Sequence, residues 1–254
     1  MDKINYNIQS EYKNISPDLW LTEILRQQVY RLAISDQLIG DTKARQDLTL
    51  ALTRITRIKP LFLYAKVATA SINAARFLEE KGFYLVDTNI VFEKTNSTPR
   101  KLTGNCELRF AVSADEKQVV KVAGKSFTYS RFHLDKAFSA ETANIIKAEW
   151  ARNFFNGSRG QAMVVALINK EIIGFLQLLQ GGEGMLTIDL IAVAGGFRRQ
   201  GIASDMIAYA QAHCQNVRQL KVGTQIANIA SIRLYEGMDF KVAETQYIFH
   251  YHNH

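Results

Sequence analysis

Residues 188–207, IDLIAVAGGFRRQGIASDMI, constrain the fold of this chain more than any other stretch. The apolar run 188–193 reads as a β-strand, enters a short turn carrying Gly195, Gly196 and Gly201, and opens directly into a helical pattern. That order belongs to an α/β sheet. Successive backbone N–H groups of such a turn, with the unpaired N–H groups and positive dipole end of the helix behind it, form a seat for a pyrophosphate. Glycine lets the backbone approach closely, and Arg198 and Arg199 add charge for further phosphate groups. No Gly-Lys-Ser/Thr follows, so this is not a Walker loop, and the G-x-G-x-x-G spacing of a dinucleotide fold is absent. Taken alone, the residues fit a plain strand-to-helix turn with two surface arginines equally well.

The remaining pattern supports a mixed α/β order. Residues 107–112 alternate as a strand, 114–127 space Val119, Val120 and Val122 as a helix, and a second helix covers about 139–153. Residues 162–180 read as a hairpin that turns at Asn169–Lys170. A strand at 186–193, a helix at 201–214, a strand at 220–223, a helix at 229–237 and a strand at 240–251 complete a meander that leads into a βαβ crossover. Upstream, Ser16–Pro17 reads as a helix start continued by 19–25, while 29–34 alternates like a strand. Residues 41–58 put Leu48, Leu52 and Ile55 on one helical face, and Pro60 turns the chain into an apolar run. A helix at 71–81 and a strand at 83–93 follow. Residues 65–94 weakly repeat 221–250: each reads strand, helix with a central arginine (Arg76, Arg233), phenylalanine (Phe83, Phe240), strand. Any strand–helix–strand pair shares part of that likeness. The 254 residues make about 1.7 domains at roughly 150 each. The Ser, Thr, Asn, Pro and Gly cluster at 94–105 divides them, so the expected organisation is 1–97, a linker at 98–105, and 106–254.

Several classes are excluded. Uncharged stretches fall far short of the roughly 20 apolar residues that cross a bilayer, so no membrane span is expected. Residues 1–14 are polar and lack a secretory core, and only Cys106 and Cys214 are available. Both points suit a reducing cytoplasm. The net charge of +7 is interspersed rather than gathered in runs, which argues against a nucleic-acid arm. His250, His252 and His254 alternate along one strand face with no Asp, Glu or Cys partner evident in sequence, so no metal is expected. Cys214, Trp20 and Trp150 read as packing residues.

With strand 189–193 ahead of it, Arg198-x-x-Gly201-x-Ala203 resembles the acetyl-CoA loop of the GCN5-related N-acetyltransferase (GNAT) family. Asn228, Arg233, Tyr235 and Phe240 in ANIASIRLYEGMDF are similar to the second signature of that family, at the spacing expected from the first. The resemblance covers 186–240. It implies a central mixed, splayed sheet flanked by helices, preceded by a smaller degenerate GNAT-like half that lacks the loop. Gly195–Gly196 departs from the usual Pro and polar residue, Arg199 and Asp239 stand where Gly is common, and Ala203 replaces a frequent Gly. More narrowly, FTYSRFHLD (127–135) and KAEWARN resemble the branch that acetylates TDP-4-amino-4,6-dideoxygalactose.

What the resemblance implies is an acetyl-CoA-dependent N-acetyltransferase acting by direct attack of a neutral amine. Ile191, Ala192, Val193, Arg198, Arg199, Gln200, Gly201, Ile202, Ala203, Asn228 and Arg233 would bind the cosubstrate, with no metal. Tyr235 is the implied general acid, two helical turns from Asn228 on nearly the same face. A phenol of pKa near 10 can protonate a thiolate formed from a thiol near 8.5. The other reading of Tyr235 is a packing tyrosine. Asp189 is the implied base, or else a carboxylate on a solvated strand face; His133 competes for that role. Tyr129, Arg131 and His133 form the expected acceptor site. The acceptor is a small-molecule amine, with a nucleotide-linked amino sugar foremost, and a homodimer is compatible with the reading. The alternatives are an amino acid, polyamine or protein amine as acceptor, or a CoA-binding module without turnover.

Overall fold

The computed structural model describes residues 14–254, so most of the polar stretch 1–14 lies outside the described residues. The chain forms two compact units, one taking the chain up to Asn89 together with Thr245–His254, the other Ile90–Glu244. Residues 96–104 carry no helix or strand. No described helix is long and apolar enough to cross a membrane.

The first unit contains strands β1 (Ile15–Pro17), β2 (Gln28–Leu32) and β3 (Leu61–Ala68), helices α1 (Leu19–Leu25), α2 (Asp36–Gly40), α3 (Thr42–Ile55) and α4 (Ile72–Glu80), and the start of β4 (Tyr84–Thr95). β1 is antiparallel to β2, and β2 is parallel to β3. The end of the last strand, β10 (Lys241–Asn253), pairs antiparallel with β3 from Gln246–Ala68 to Asn253–Leu61. Leu48, Leu52 and Ile55 share the buried face of α3, as their spacing predicts, and pack with Leu61, Leu63, Phe77 and Phe249. Each such side chain contributes roughly 1.5–3 kcal/mol on burial. Ser16 and Pro17 do not start a helix. They pair with Arg31 and Tyr30, and it is the Asp18 carboxylate that caps α1, accepting from Leu21 N–H at 3.0 Å.

The second unit contains the end of β4, β5 (Glu107–Phe110), α5 (Glu116–Ser126), α6 (Arg131–Leu134), α7 (Ala140–Phe155), β6 (Ala162–Ile168), β7 (Glu171–Gln180), β8 (Met185–Val193), α8 (Ile202–His213), β9 (Gln219–Gln225), α9 (Ile229–Glu236) and the start of β10. β5, β6, β7 and β8 form an antiparallel meander, and β9 joins β8 in parallel, the product of a crossover through α8. The β6–β7 turn has Asn169 at φ 50° and Lys170 at φ 67°, the two positive values of a type I′ hairpin. One face of this sheet packs Ile188, Val193, Leu176 and Val164 with Ile202, Met206 and Ile207 of α8. The other packs Leu190, Ala192, Phe175 and Val165 with Val119 of α5 and Ala151 of α7.

In the first unit, Asp87 of β4 is buried, and its Oδ2 has no hydrogen-bond partner among the described residues. Burial pushes its pKa up to about 6, against opposing pulls from the Thr88 backbone and Lys66. The folded state therefore holds the proton longer than the unfolded chain, and stability falls as pH rises from about 4 towards 6. Asp87→Asn is expected to raise the melting temperature by several degrees at pH 8, where about 1–3 kcal/mol is recovered, and much less at pH 4. Thermal denaturation at the two pH values checks this; equal shifts would refute it.

Candidate active site

The site begins where β8 leaves its neighbour. The parallel ladder between β8 and β9 runs from Met185–Gln219 to Ile188–Val222, so 189–193 lie past it while still paired to β7 on the other side. The β7–β8 register shifts at this point: Gln177 faces Leu190 but Leu178 faces Ile188, which leaves Asp189 as the extra residue of a bulge. The bulge reverses the alternation, so Ile188 packs towards α8 and Leu190 towards α5 and α7. Backbone groups of Ile191, Ala192 and Val193 thus lie on a strand edge that β9 does not cover. Gly174, opposite Val193, permits the close β7–β8 approach, since a Cβ there would stand 3.0 Å from the Ala192 carbonyl oxygen.

Eight residues beyond Val193, α8 begins at Gly201, whose φ of 80° forms the turn and whose lack of a side chain leaves the helix without a side-chain cap. The first-turn N–H groups around Ile202 and Ala203 are the donors that a phosphate requires. Arg199 and Gln200 are exposed beside them. Arg198 is used differently: its Nε donates to the Val193 carbonyl at 3.0 Å and its Nη2 to the Ser126 carbonyl at 2.7 Å. It ties the open strand end to the end of α5. Arg199 adopts φ 63° and Asp239 φ 65°, which accounts for the glycine common at both places in the family resemblance.

Asp189 is neither solvated nor free. Its carboxylate accepts four hydrogen bonds: Trp150 Nε1 at 2.8 Å, Arg159 Nε at 2.7 Å and Nη2 at 2.6 Å, and Gln177 Nε2 at 3.1 Å. Cations flank the Trp150 ring, with Lys147 Nζ at 4.6 Å and the Arg159 guanidinium carbon at 5.0 Å from its centroid. His133 stands on α6 rather than in a loop, with Nδ1 at 2.6 Å from Ser130 Oγ and Nε2 at 3.1 Å from Asn144 Oδ1. The amide oxygen only accepts, so Nε2 carries the proton and Nδ1 accepts from Ser130. Burial holds the imidazole below its usual pKa, as does nearby Lys147, while the Asn144 contact opposes both. The ring is therefore neutral at pH 7. Tyr129 is exposed, and the Arg131 guanidinium lies 4.5 Å from the Phe132 centroid.

Tyr235 is buried between Phe92 and Phe240, each at 5.7 Å between centroids, in the cluster that holds Ile188, Val193 and Ile202. Burial raises its phenol pKa well above the ordinary value, so the hydroxyl keeps its proton throughout the working pH range. Asn228 caps α9, its Oδ1 accepting from Ser231 N–H at 3.3 Å while Nδ2 donates to Thr224 Oγ1 at 3.3 Å. Arg233 is exposed on α9.

The stretch 128–240 matches the family model described as acetyltransferase (GNAT) family. These residues belong to the GNAT family. SpsD, a spore coat polysaccharide biosynthesis protein of Bacillus subtilis (strain 168), is 33% identical over 192 residues, a match covering 74% of this chain and 66% of SpsD. The chain thus spans just under two thirds of that relative. A GCN5-related N-acetyltransferase from Sphaerobacter thermophilus superposes with a TM-score of 0.59 at 15% identity, covering 89% of this chain and 73% of the other. A tandem GNAT protein from the clavulanic acid biosynthesis pathway gives 0.60 at 12% identity, over 88% and 75%. These structures show a mixed α/β GNAT fold.

Within the GNAT domain, sequence reasoning missed Trp150, Arg159 and Gln177 as partners of Asp189. The i, i+3 spacing of Lys147 and Trp150 on α7 was a usable signal for a shared face; nothing in the loop around Arg159 marked its role. Asp189→Asn removes the bidentate acceptor of Arg159 and is expected to cost about 1–3 kcal/mol. Denaturant titration should show the loss. Arg159→Lys should lose less than Asp189→Asn but still destabilise, because an ammonium cannot bridge both carboxylate oxygens as guanidinium does. Wild-type stability in Asp189→Asn would refute this role of the Asp189 contacts.

Proposed function

We propose that this chain is an acetyl-CoA-dependent N-acetyltransferase that transfers the acetyl group directly to a primary amine of a small molecule, foremost a nucleotide-linked amino sugar. The observation that carries the reading is the strand edge left open past Ile188, followed along the chain by a helix start with no side-chain cap. The residues fit the cosubstrate: N–H groups of 199–203 would take the pyrophosphate, and backbone groups of Ile191–Val193 the pantetheine and the thioester carbonyl. When bound, acetyl-CoA supplies an acetyl thioester. Asn228 and Arg233 would line the α9 side.

Tyr235 would protonate the departing thiolate, and the proton that the attacking nitrogen loses would restore the phenol, which burial keeps protonated at rest. Asp189, with four donors, would act less as a direct proton acceptor than as the group that fixes the bulge and places Trp150 and Lys147 beside the reaction. Tyr129, Arg131 and neutral His133 would contact the acceptor, their segment joined to the open strand end through Arg198. The naming of SpsD as a spore coat polysaccharide biosynthesis protein supports a sugar-linked acceptor.

In this reading, 106–254 is the catalytic copy, 98–105 its connection, and 1–97 a degenerate copy. The starts of α3 and α4 in the first unit support the contrast, because carboxylates occupy them: Asp41 accepts from Ala44 N–H and Asp36 from Ala74 N–H, both at 2.8 Å.

A panel of amines that includes TDP-amino sugars, scored for free CoA release, tests the activity. Tyr235→Phe is expected to lower kcat by roughly 10²-fold or more while leaving the Kd for acetyl-CoA within about threefold. Full activity in this variant across pH would remove Tyr235 from the mechanism. Acetyl-CoA binding without turnover on any amine would favour a binding module.

A further inference from the structure

Residues 96–105 do not hang free of the GNAT domain. At one end, Asn96 N–H donates to the Arg218 carbonyl at 2.7 Å and Asn96 Nδ2 to the Val217 carbonyl at 3.0 Å, while Gln211 Nε2 of α8 donates to Asn96 Oδ1 at 3.0 Å. At the other end, Asn105 Nδ2 donates to the Gln200 carbonyl at 3.0 Å. The segment therefore runs along α8 from its C-terminal turn back to its start, as a strap.

Asp205 lies beneath the strap in the first turn of α8, its side chain 1% exposed. A carboxylate so buried is costly unless donors meet it, and the strap supplies them. Arg100 forms an ion pair with it, and Thr103 donates its backbone N–H at 3.1 Å and its hydroxyl at 2.5 Å. Thr103 also packs against the turn on the side of the missing Gly201 side chain: a Cβ on Gly201 would stand 3.0 Å from its methyl group. Asp205 N–H in turn donates to the Gly201 carbonyl at 2.9 Å. Thus one buried carboxylate joins the strap to the turn whose N–H groups would take a phosphate in the reading above. Unneutralised, its charge would also oppose an anion there.

We infer that Arg100 and Thr103 are positioning residues for the phosphate seat: by holding and neutralising Asp205, they fix Gly201 and the first turn of α8 in the conformation that presents N–H groups to the cosubstrate phosphates. This rests on the acetyl-CoA reading above. Thr103 is the informative position, since valine keeps its shape and serine keeps its donors.

The test is titration calorimetry with CoA on the full chain, with ligand-free melting measured in parallel. The pair Thr103→Val with Arg100→Ala is expected to raise the Kd for CoA about tenfold or more, whereas Thr103→Ser with Arg100→Lys stays within about threefold at a similar melting temperature. The rise in melting temperature produced by pantetheine, which carries no phosphate, is expected to be the same in both pairs. Unchanged CoA affinity in the first pair would overturn the inference and leave the acetyl-CoA reading intact. Equal weakening in both pairs, or an equal loss of the pantetheine effect, would reduce the strap to ordinary packing and also overturn it. A wild-type protein that fails to bind CoA would overturn the reading and the inference together.

Discussion

The site depends on one interruption of a β-ladder. An extra residue at Asp189 reverses the alternation of β8, turning Ile188 to one core and Leu190 to the other. Past that point β8 keeps its β7 partner but not β9, and unpaired backbone groups in a strand must be met by something. A bulge of this kind is tolerable only when its own side chain is satisfied. Trp150, Arg159 and Gln177 do this from α7, the loop ahead of β6, and β7. Gln177 Oε1, buried and without a hydrogen bond among the described residues, shows that this set of contacts is not free of cost.

The same physics separates the two units. A helix start offers unpaired N–H groups and a partial positive charge, and either a side chain or a ligand can take them. In the first unit, aspartates take them on α3 and α4, gaining about 0.3–1 kcal/mol each and closing the seat to anions. At α8 a glycine leaves the start open. Openness of this sort costs stability in the absence of ligand, which is why it marks a site more sharply than the neighbouring arginines do.

Local chemistry was legible in the sequence, and long-range pairing was not. The hairpin at Asn169–Lys170, the buried face of α3 and the strand–turn–helix at 188–207 follow from periodicity and turn residues. The bulge does not, because alternation read along IDLIAV puts Ile188 and Leu190 on one face, and only the register against β7 shows them on two. Arg198 illustrates a different limit. Its sequence position suggests phosphate charge, but its guanidinium is occupied by the Val193 and Ser126 carbonyls, the latter 72 positions away. The four-residue α6, which carries His133, was too short to show a period.

Arg199 differs from Arg198 in its backbone. A non-glycine residue at φ 63° carries strain of order 1–2 kcal/mol that glycine would avoid. Asp239 at φ 65° is a milder case, since a short polar side chain tolerates that region better than a long one. No comparable allowance exists for arginine. Its side chain is exposed beside the start of α8. The strained arginine, the uncapped helix and the uncovered strand edge are three separate departures from the most stable arrangement within eleven residues, and in the acetyl-CoA reading proposed above the last two are those that an extended molecule with an anionic end and amide groups along its length would relieve.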